Sequence, residues 1–596
     1  MSLLRGLQQQ GALRPLDVAL TQSLKRLDDT ASDAVLAAAA LASLAVSQGH
    51  AGFDLAQPQM LVEAALAWPG AQAWAQELAS SPLVVTPLEN STSLPAPLVL
   101  EKGLLYLRRY REYEYRLAQR LRQLASALPE QEAGAVAGLF AQLFPNAQHG
   151  DLQACAAELA LRKTLLLLTG GPGTGKTTTI AKLLVLRIAQ AVHAKAAPLR
   201  IALAAPTGRA ADRMAESLQR AALQMAEQGV DSSVLAQLPE RASTLHRLLG
   251  VIPDTPQFRH HASNPLPFDI IVVDEASMVD LPLMSKLTEA VAEGCQLILL
   301  GDADQLPSVE AGDVLAAILA AESNDTCPLH GHRVQLQHSW RQGESLQLAP
   351  LAEAVRQGDS ATALALLRSD ELAGVYFHEE ANDPLLAYPQ LLEHWRALAT
   401  FDDPRTALRE TNRMRLLTAL REGPQGSRNL NARIEAKLSG ARLGSAPAWF
   451  PGRLLLVVEN SYRHGLFNGD VGICLPDATG APCVWFSGGE DGVRRFHPAA
   501  LPAHESAFAM TVHKAQGSEF DEVYLQLPQQ DARVLSRELL YTGITRARRG
   551  LHLAANADVL TTALMRHASR VSGVAWRLAA EMHFGRTETL EYRHEM

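Results

Sequence analysis

The chain has 596 residues, of which 47% are hydrophobic and 20% are charged, and its formal net charge is -9. This length is too great for a single core and predicts several domains, while the balanced composition excludes a disordered chain. The acidic net charge excludes a protein that coats nucleic acid through bulk positive charge, so any nucleic-acid site must be a local groove.

The N-terminal residues 1–115 are rich in Ala and Leu and predict a helical domain that packs or contacts partners. The apolar stretch 35–46 is shorter than the roughly 20 residues that cross a bilayer, so it predicts a buried helix. Residues 105–125 interleave Tyr and Leu with Arg and Glu at helical spacing. This pattern favours one solvent-exposed bridging helix over a nucleic-acid stripe.

From about residue 160 the pattern changes to short apolar strands followed by helices, which predicts an α/β fold with a parallel sheet. A Pro-rich insertion at 252–269 interrupts this region, and a second region begins near residue 346. Within it, residues 435–503 read as short strands joined by turns, a small β insert. The predicted strands of the first region lie within 164–170, 200–208, 269–277 and 295–305.

The stretch LLLLTGGPGTGKTTT at 165–179 fits the pattern G-x-x-x-x-G-K-[ST]. It lies between an apolar strand and a helix, where backbone N–H groups can surround phosphate. We expect Lys176 to reach the β and γ oxygens and Thr177 to hold Mg²⁺. The expected nucleotide-binding residues of this loop are Gly170, Gly171, Pro172, Gly173, Thr174, Gly175, Lys176, Thr177 and Thr178.

Two carboxylates follow the apolar stretch IIVV directly. Asp274 is the expected second ligand of Mg²⁺, and Glu275 is the expected general base that polarises the attacking water. With the glycine loop, this pair predicts an ATPase. A small-molecule kinase would share these features but not the motifs that follow.

Six further motifs resemble, in order, those of superfamily 1 DNA helicases: LAAPTGRAADRM, STLHRLLG, LLGDADQLPSVEAGDVL, HSWRQ, TVHKAQGSEFDEV and LLYTGITRARRGL. The resemblance implies two RecA-like domains around an ATP site. It also implies that Gln305 senses the γ-phosphate and that Arg341 and Arg546 reach the phosphates from the second domain. Arginine suits this task because its permanent charge and planar fork match phosphate oxygens.

The same resemblance implies contacts to the backbone of single-stranded DNA. Such contacts bind DNA without reading its sequence, as a translocating enzyme requires. The alternative for any one of these residues is a local structural role, in which the side chain caps a helix or stabilises a turn and does not contact DNA. The implied DNA-binding residues are Pro206, Thr207, Arg209, Thr244 and His246 on the first domain, and Thr511 and His513 on the second.

Residues 151–179, 415–435 and 459–473 resemble more closely the RecD family, which includes the alpha subunit of bacterial exodeoxyribonuclease V. This resemblance extends from about 150 to 552. It implies that Gln153 reads adenine, that the β insert is SH3-like, that 252–269 is a short pin at the strand-separation point, and that translocation runs 5′ to 3′. The expected domains are 1–115, 116–345, 346–434 with 504–596, and the insert 435–503.

The resemblance therefore implies an ATP-dependent helicase subunit of a heterotrimer that unwinds and degrades duplex ends in double-strand break repair by homologous recombination. Its partners would be the beta and gamma subunits, with the nuclease in another subunit. The five cysteines form no Cys-x-x-Cys pair, which suits a reducing cytoplasm. A free-standing helicase, a structural subunit with a decayed ATPase and RNA tracking are the alternatives. The presence of Lys176 and Glu275 argues against a structural subunit whose ATPase has decayed.

Overall fold

The computed structural model describes residues 2–63, 66–87, 96–125, 136–147, 150–337, 346–461, 463–477, 479–489 and 492–579. Four sheets organise the described residues: a small N-terminal sheet, two parallel sheets, and an antiparallel sheet formed by the insert. The predicted α/β class is therefore confirmed.

The N-terminal part combines helices with a four-stranded sheet of order β1-β4-β3-β2. Its elements are α1 (Leu3–Gln9), α2 (Pro15–Leu27), α3 (Asp33–Ser47), β1 (Phe53–Asp54), α4 (Ala71–Ala79), β2 (Val84–Val85), β3 (Leu98–Glu101) and β4 (Leu104–Leu107). Helix α3 confirms the buried helix predicted at 35–46, and Ser32 caps it by accepting a hydrogen bond from the N–H of Val35. The sheet is not predicted, because strands of two to four residues are too short to show alternation.

The first α/β domain contains a six-stranded parallel sheet of order β10-β5-β9-β8-β6-β7. The predicted strands are confirmed as β5, β6, β8 and β9, whose side chains are almost all buried. The elements are α5 (Arg108–Leu124), α6 (Ala137–Leu143), α7 (Leu152–Ala160), β5 (Leu165–Gly170), α8 (Lys176–His193), β6 (Ile201–Ala205), α9 (Gly208–Glu227), α10 (Ser232–Leu235), β7 (Ser243–Thr244), α11 (Leu245–Leu249), β8 (Ile270–Val273), α12 (Leu281–Ala290), β9 (Gln296–Gly301), α13 (Val314–Glu322) and β10 (Arg333–Leu336).

Helix α5 is buried along one face, so the predicted solvent-exposed bridging helix is wrong. The buried face includes Glu114, Leu117 and Leu121, and the helix packs along α12. The polar residues that suggested exposure instead include a buried carboxylate that has cationic partners. The expected domain boundary between residues 115 and 116 falls inside this helix and is also wrong.

The remaining described chain forms a second parallel sheet of order β11-β20-β19-β12-β18. Its elements, with those of the insert, are α14 (Ala349–Gln357), α15 (Ser360–Arg368), β11 (Val375–His378), α16 (Pro384–Ala387), α17 (Pro389–Leu398), α18 (Pro404–Glu410), β12 (Met414–Thr418), α19 (Ser427–Ser439), β13 (Leu454–Val457), β14 (Val471–Pro476), β15 (Pro482–Ser487), β16 (Val493–Phe496), β17 (His504–Ser506), β18 (Ala509–Thr511), β19 (Phe520–Gln526), α20 (Arg537–Ile544), β20 (Ala547–Ala554), α21 (Ala557–Met565) and α22 (Val574–Ala579).

The insert is a five-stranded antiparallel sheet of order β16-β15-β14-β13-β17 around its own apolar cluster. A small β insert is therefore confirmed, with shifted limits. Residue 435 lies within α19, so the sheet begins at Leu454 and extends to Ser506.

The C-terminal helix α22 packs against α5 and α13 of the first α/β domain, which corrects the assignment of all of 504–596 to the second. Arg577 Nε donates to Glu114 Oε2 at 3.2 Å, and its Nη1 and Nη2 donate to Glu101 at 2.9 and 2.8 Å. Burial alone would raise the pKa of Glu101, but hydrogen bonds from Arg577 and Arg111 hold it below its ordinary value. This contribution to stability is complete above the ordinary carboxyl pKa and is lost as the pH falls through the lowered one.

Among the described helices, none combines the length and apolar character needed to cross a membrane.

We expect Arg577→Ala to weaken the packing of α22 on α5 by about 3 kcal/mol, because the substitution leaves the fully buried Glu114 without its cation. Hydrogen exchange of the two helices measures the loss. Arg162→Ala is the control, since its pair with Glu158 is exposed and contributes less than about 0.5 kcal/mol. Equal protection in both variants would contradict the assigned role of this cluster.

Candidate nucleotide site and nucleic-acid track

The glycine loop connects the end of β5 to the start of α8, as its sequence predicts. Gly175 caps α8 with a φ of 86°, a conformation that favours glycine. Gly171 lies so close to the second α/β domain that a Cβ would stand 2.9 Å from Tyr541 Oη. Lys176 Nζ donates to the carbonyls of Gly170 and Gly171 at 2.6 and 3.0 Å. The amine therefore lies across the loop at the place where phosphate oxygens would bind.

A half-buried carboxyl group, Asp274, and a buried one, Asp302, stand at the ends of neighbouring strands. Asp274 follows β8 and Asp302 follows β9. Burial raises the pKa of Asp274, the charge of Glu275 raises it further, and Lys176 opposes both effects. Burial likewise raises the pKa of Asp302, while the charge of Lys176 acts to lower it. Such carboxyls are predisposed to bind a cation, because the cation restores the charged form.

Glu275 occupies the left-handed region, with φ 52° and ψ 43°. A non-glycine residue in this conformation is strained, and such strain concentrates at functional sites. Its N–H donates to Asp274 Oδ1 at 2.8 Å. The turn thus fixes the backbone of Glu275 against the Asp274 carboxylate.

Gln305 and Arg546 meet across the boundary between the two α/β domains. Gln305 Nε2 donates to Asp302 Oδ2 at 3.0 Å, and Arg546 Nη2 donates to Gln305 Oε1 at 2.9 Å. Burial lowers the pKa of Arg546, while the charges of Glu275 and Glu519 act against that effect. Arg341, the other arginine named from the sequence, lies outside the described residues.

Further contacts join the domains beside this pair. The N–H of Leu306 donates to Thr542 Oγ1 at 2.8 Å, and Gln516 Nε2 donates to the Leu306 carbonyl at 2.9 Å. Sequence reasoning missed Gln516, Tyr541 and Thr542, which lie within the quoted motifs but carry no charge. The sequence offers one signal for these residues, namely that each lies in a motif whose neighbouring residues have an expected role. The structure adds that all three are buried.

A cavity of about 1590 Å³ opens between the two α/β domains and the insert. It exceeds the roughly 300–1000 Å³ of a typical small-molecule pocket. Its walls include the glycine loop, α9 and strands of the insert. The half-buried Gln153 is the second residue of α7 and is not among the described residues that line this cavity. The structure thus does not bring Gln153 to the cavity wall.

The predicted nucleic-acid contacts of the first domain lie where its strands end. Pro206 and Thr207 follow β6, and Thr207 Oγ1 accepts the N–H of Ala210 to cap α9. Thr244 caps α11 in the same way. Burial lowers the pKa of His246, which favours a neutral imidazole, and its ring meets the Phe258 ring edge-on at 5.9 Å.

On the second domain, Thr511 ends β18 and His513 begins the following turn. Burial lowers the pKa of His513 as well. Arg209 makes a contact that the sequence does not predict, because its Nη2 donates to Asn412 Oδ1 at 2.8 Å across the domain boundary. The residue also lines the cavity between the domains, so its DNA contact stays a prediction.

The Pro-rich segment 252–269 folds back on α11. The Arg259 N–H donates to the Gly250 carbonyl at 2.8 Å, and short bridges pair Val251 with Phe258 and His261 with Asn264. The segment is therefore a compact projection whose base touches His246 through Phe258.

Three family descriptions match the chain. Residues 9–106 match the N-terminal domain of RecBCD enzyme subunit RecD, residues 153–311 match an AAA domain, and residues 506–554 match a UvrD-like helicase C-terminal domain.

Similar proteins cover most of the chain. RecBCD enzyme subunit RecD of Mycobacterium tuberculosis is 40% identical over 97% of this chain and 96% of its own length. The same subunit of Mycolicibacterium smegmatis is 39% identical over 97% of this chain and 99% of its own length. The ATP-dependent RecD2 DNA helicase of Deinococcus radiodurans is 30% identical over 78% of this chain and 57% of that protein. The chain belongs to the RecD family.

Proposed function

We propose that this chain is an ATP-dependent DNA helicase that translocates 5′ to 3′ on single-stranded DNA as a subunit of a heterotrimeric exodeoxyribonuclease V. The observation that carries the proposal is the hydrogen bond from Arg546 of one α/β domain to Gln305 of the other, beside the glycine loop. A site shared between two domains can convert nucleotide binding and hydrolysis into domain motion.

In the proposed nucleotide site, the N–H groups of Gly170–Thr178 surround the phosphates and Lys176 bonds the β and γ oxygens. The Thr177 hydroxyl and the Asp274 carboxylate fit Mg²⁺, because both are oxygen ligands and a cation favours the charged form of Asp274, whose pKa burial and Glu275 raise. Mg²⁺, when bound with ATP, neutralises phosphate charge. Gln153 is proposed to read adenine from the start of α7.

For hydrolysis, Glu275 is proposed to accept a proton from the attacking water while its strained backbone fixes the carboxylate. Gln305 reports the γ-phosphate to Arg546, because the two side chains already share a hydrogen bond. Arg546 and Arg341 then neutralise the charge that develops on the transferred group. Loss of the γ-phosphate would weaken the contact between the domains.

The proposed DNA track passes over the strand ends of both domains. Hydroxyls and neutral imidazoles can bond phosphate oxygens without reading sequence, which suits a motor. Arg209 is proposed to contact DNA from the cavity wall, beside its bond to Asn412, and the 252–269 segment is proposed as the pin that separates strands. The proposed track residues are Pro206, Thr207, Arg209, Thr244, His246, Thr511 and His513.

The heterotrimer is supported by the mycobacterial relatives, whose names assign them to the RecBCD enzyme and which match over almost their whole lengths. The proposed partners are therefore the beta and gamma subunits, with the nuclease in another subunit, in break repair by homologous recombination. The net charge of -9 suits a subunit that receives DNA within an enclosed assembly. The five free cysteines suit a reducing cytoplasm.

The purified chain is expected to hydrolyse ATP when single-stranded DNA is present and to open duplexes with a 5′ tail, with higher activity when the two partner subunits are added. Unwinding of 5′-tailed and 3′-tailed duplexes, with and without the partners, measures this. Full activity of the chain alone would favour a free-standing helicase. A preference for 3′ tails, or hydrolysis that ignores DNA, would reject the proposal.

Lys176→Gln is expected to lower ATP hydrolysis at least about a hundredfold with the fold intact, because the phosphates lose their cation. Steady-state hydrolysis with single-stranded DNA measures the effect, and circular dichroism verifies folding. Lys195→Gln, an exposed lysine beyond α8, is the matched control and should retain wild-type turnover. A wild-type rate of ATP hydrolysis in Lys176→Gln would contradict the assignment of the glycine loop as the nucleotide site.

Mg²⁺-dependent nucleotide binding is expected to weaken between about pH 8 and about pH 6, since a carboxyl with a raised pKa must lose its proton to bind the cation. Calorimetry in two buffers of different ionisation enthalpy measures the released proton. Asp274→Asn should abolish the part of the release that belongs to this carboxyl. Identical proton release by both proteins would show that Asp274 does not hold the cation.

A further inference from the structure

Arg213 lies on α9 a little more than one turn after Thr207, the residue that caps this helix. Its guanidinium reaches the second α/β domain, where Nη1 donates to the Gly517 carbonyl at 2.7 Å and Nη2 pairs with Glu519 Oε1 at 2.8 Å. The carboxylate is almost buried, with 8% of its side chain exposed, and the guanidinium is 29% exposed. Arg213 lies within the motif LAAPTGRAADRM, but neither the resemblance nor the proposed chemistry gives it a role.

The turn that Arg213 holds also touches the nucleotide side of the boundary. Gln516 Nε2 donates to the Leu306 carbonyl, next to Gln305. The Ser518 carbonyl accepts from Arg546 Nη1 at 3.3 Å. Within the segment 516–519, Ser518 therefore bonds Arg546, the arginine proposed to neutralise phosphate charge, while Gly517 and Glu519 bond Arg213.

The same turn contacts the start of the proposed DNA track. Gly517 has φ 69°, and a Cβ there would lie 3.6 Å from both Thr207 Oγ1 and Ala210 Cβ. The space between the turn and the cap of α9 is therefore only about as wide as one added Cβ. A shift of the turn toward the cap would close this space, and a shift away from it would break the bonds of Arg213.

The charges around Arg213 favour a fixed position. Burial alone would lower the pKa of Arg213, but the charge of Glu519 and its hydrogen bond outweigh burial and raise this pKa. The charges of Glu275 and Asp274 raise it further by smaller amounts. Glu519 also pairs with Arg548 at 3.0 Å. The guanidinium therefore stands within electrostatic reach of the catalytic carboxylates while it bonds the second domain.

We propose that Arg213 is a positioning residue that couples nucleotide binding to single-stranded DNA binding, by holding the turn 516–519 against the cap of α9. This inference rests on the proposed function and assigns the coupling to one ion pair. When Arg546 shifts toward a nucleotide, the Ser518 carbonyl shifts with it, and Arg213 transmits the displacement to α9 and Thr207. A buried pair of this kind sets registry between surfaces more than it adds stability.

The test measures the affinity of the full chain for a labelled oligothymidylate by fluorescence anisotropy, with and without a non-hydrolysable ATP analogue and Mg²⁺. The ratio of the two dissociation constants is the coupling factor. We expect at least about fivefold in the wild type, below about twofold in Arg213→Gln, and the same loss in Glu519→Gln. The double variant should lose no more than either single one, because both remove one contact.

Arg220→Gln is the matched control, since Arg220 is an exposed arginine of the same helix and lines the same cavity. It should keep the wild-type coupling factor. Arg213→Lys should restore part of the coupling, because a lysine keeps the charge but not the two-pronged contact.

Three outcomes would overturn the inference. An unchanged coupling factor in Arg213→Gln would show that the pair transmits nothing. An equal loss of DNA affinity with and without the analogue would show that Arg213 contacts DNA directly. A wild-type factor near 1 would show that there is no coupling to transmit. A wild-type chain that binds neither ligand would instead reject the proposed function itself.

Discussion

A buried guanidinium must have acceptors for its N–H groups, and Arg546, 2% exposed, finds them in both α/β domains. It donates to the Thr542 carbonyl of α20, the helix that precedes it, to the Ser518 carbonyl of a neighbouring turn, and to Gln305 of the other domain. Separation of the domains would leave a buried charged donor without its partner, which costs about 1–3 kcal/mol or more. The relative position of the domains therefore depends on this side chain and its bond to Gln305.

The parts of the fold that the sequence predicts are those with a strong local signal. Strands buried on both faces form continuous apolar runs, and β5, β6, β8 and β9 lie where those runs lie. The glycine loop is equally recognisable, since its conformation requires glycine at fixed positions. Gln305 and Arg546 are named from motif resemblance alone, and their direct contact emerges only in three dimensions.

The sequence cannot predict features that depend on distant parts of the chain. The polar residues of α5 suggest a solvated helix, but Glu114 finds its cation more than four hundred residues away in Arg577. Arg209 has the charge of a phosphate contact, but the sequence does not show that Asn412 accepts a hydrogen bond from it across the domain boundary. Both contacts escape prediction for one reason: a charged residue reveals its charge in the sequence but not the location of its partner.

The attachment of α22 to the first α/β domain has a mechanical consequence. The second domain leaves the first between residues 337 and 346 and returns to it between 565 and 574, so two covalent crossings tether it. Complete separation of the two domains would therefore have to extend both crossings at once. The Arg577 cluster fixes the far end of the second crossing, because it holds α22 on the first domain.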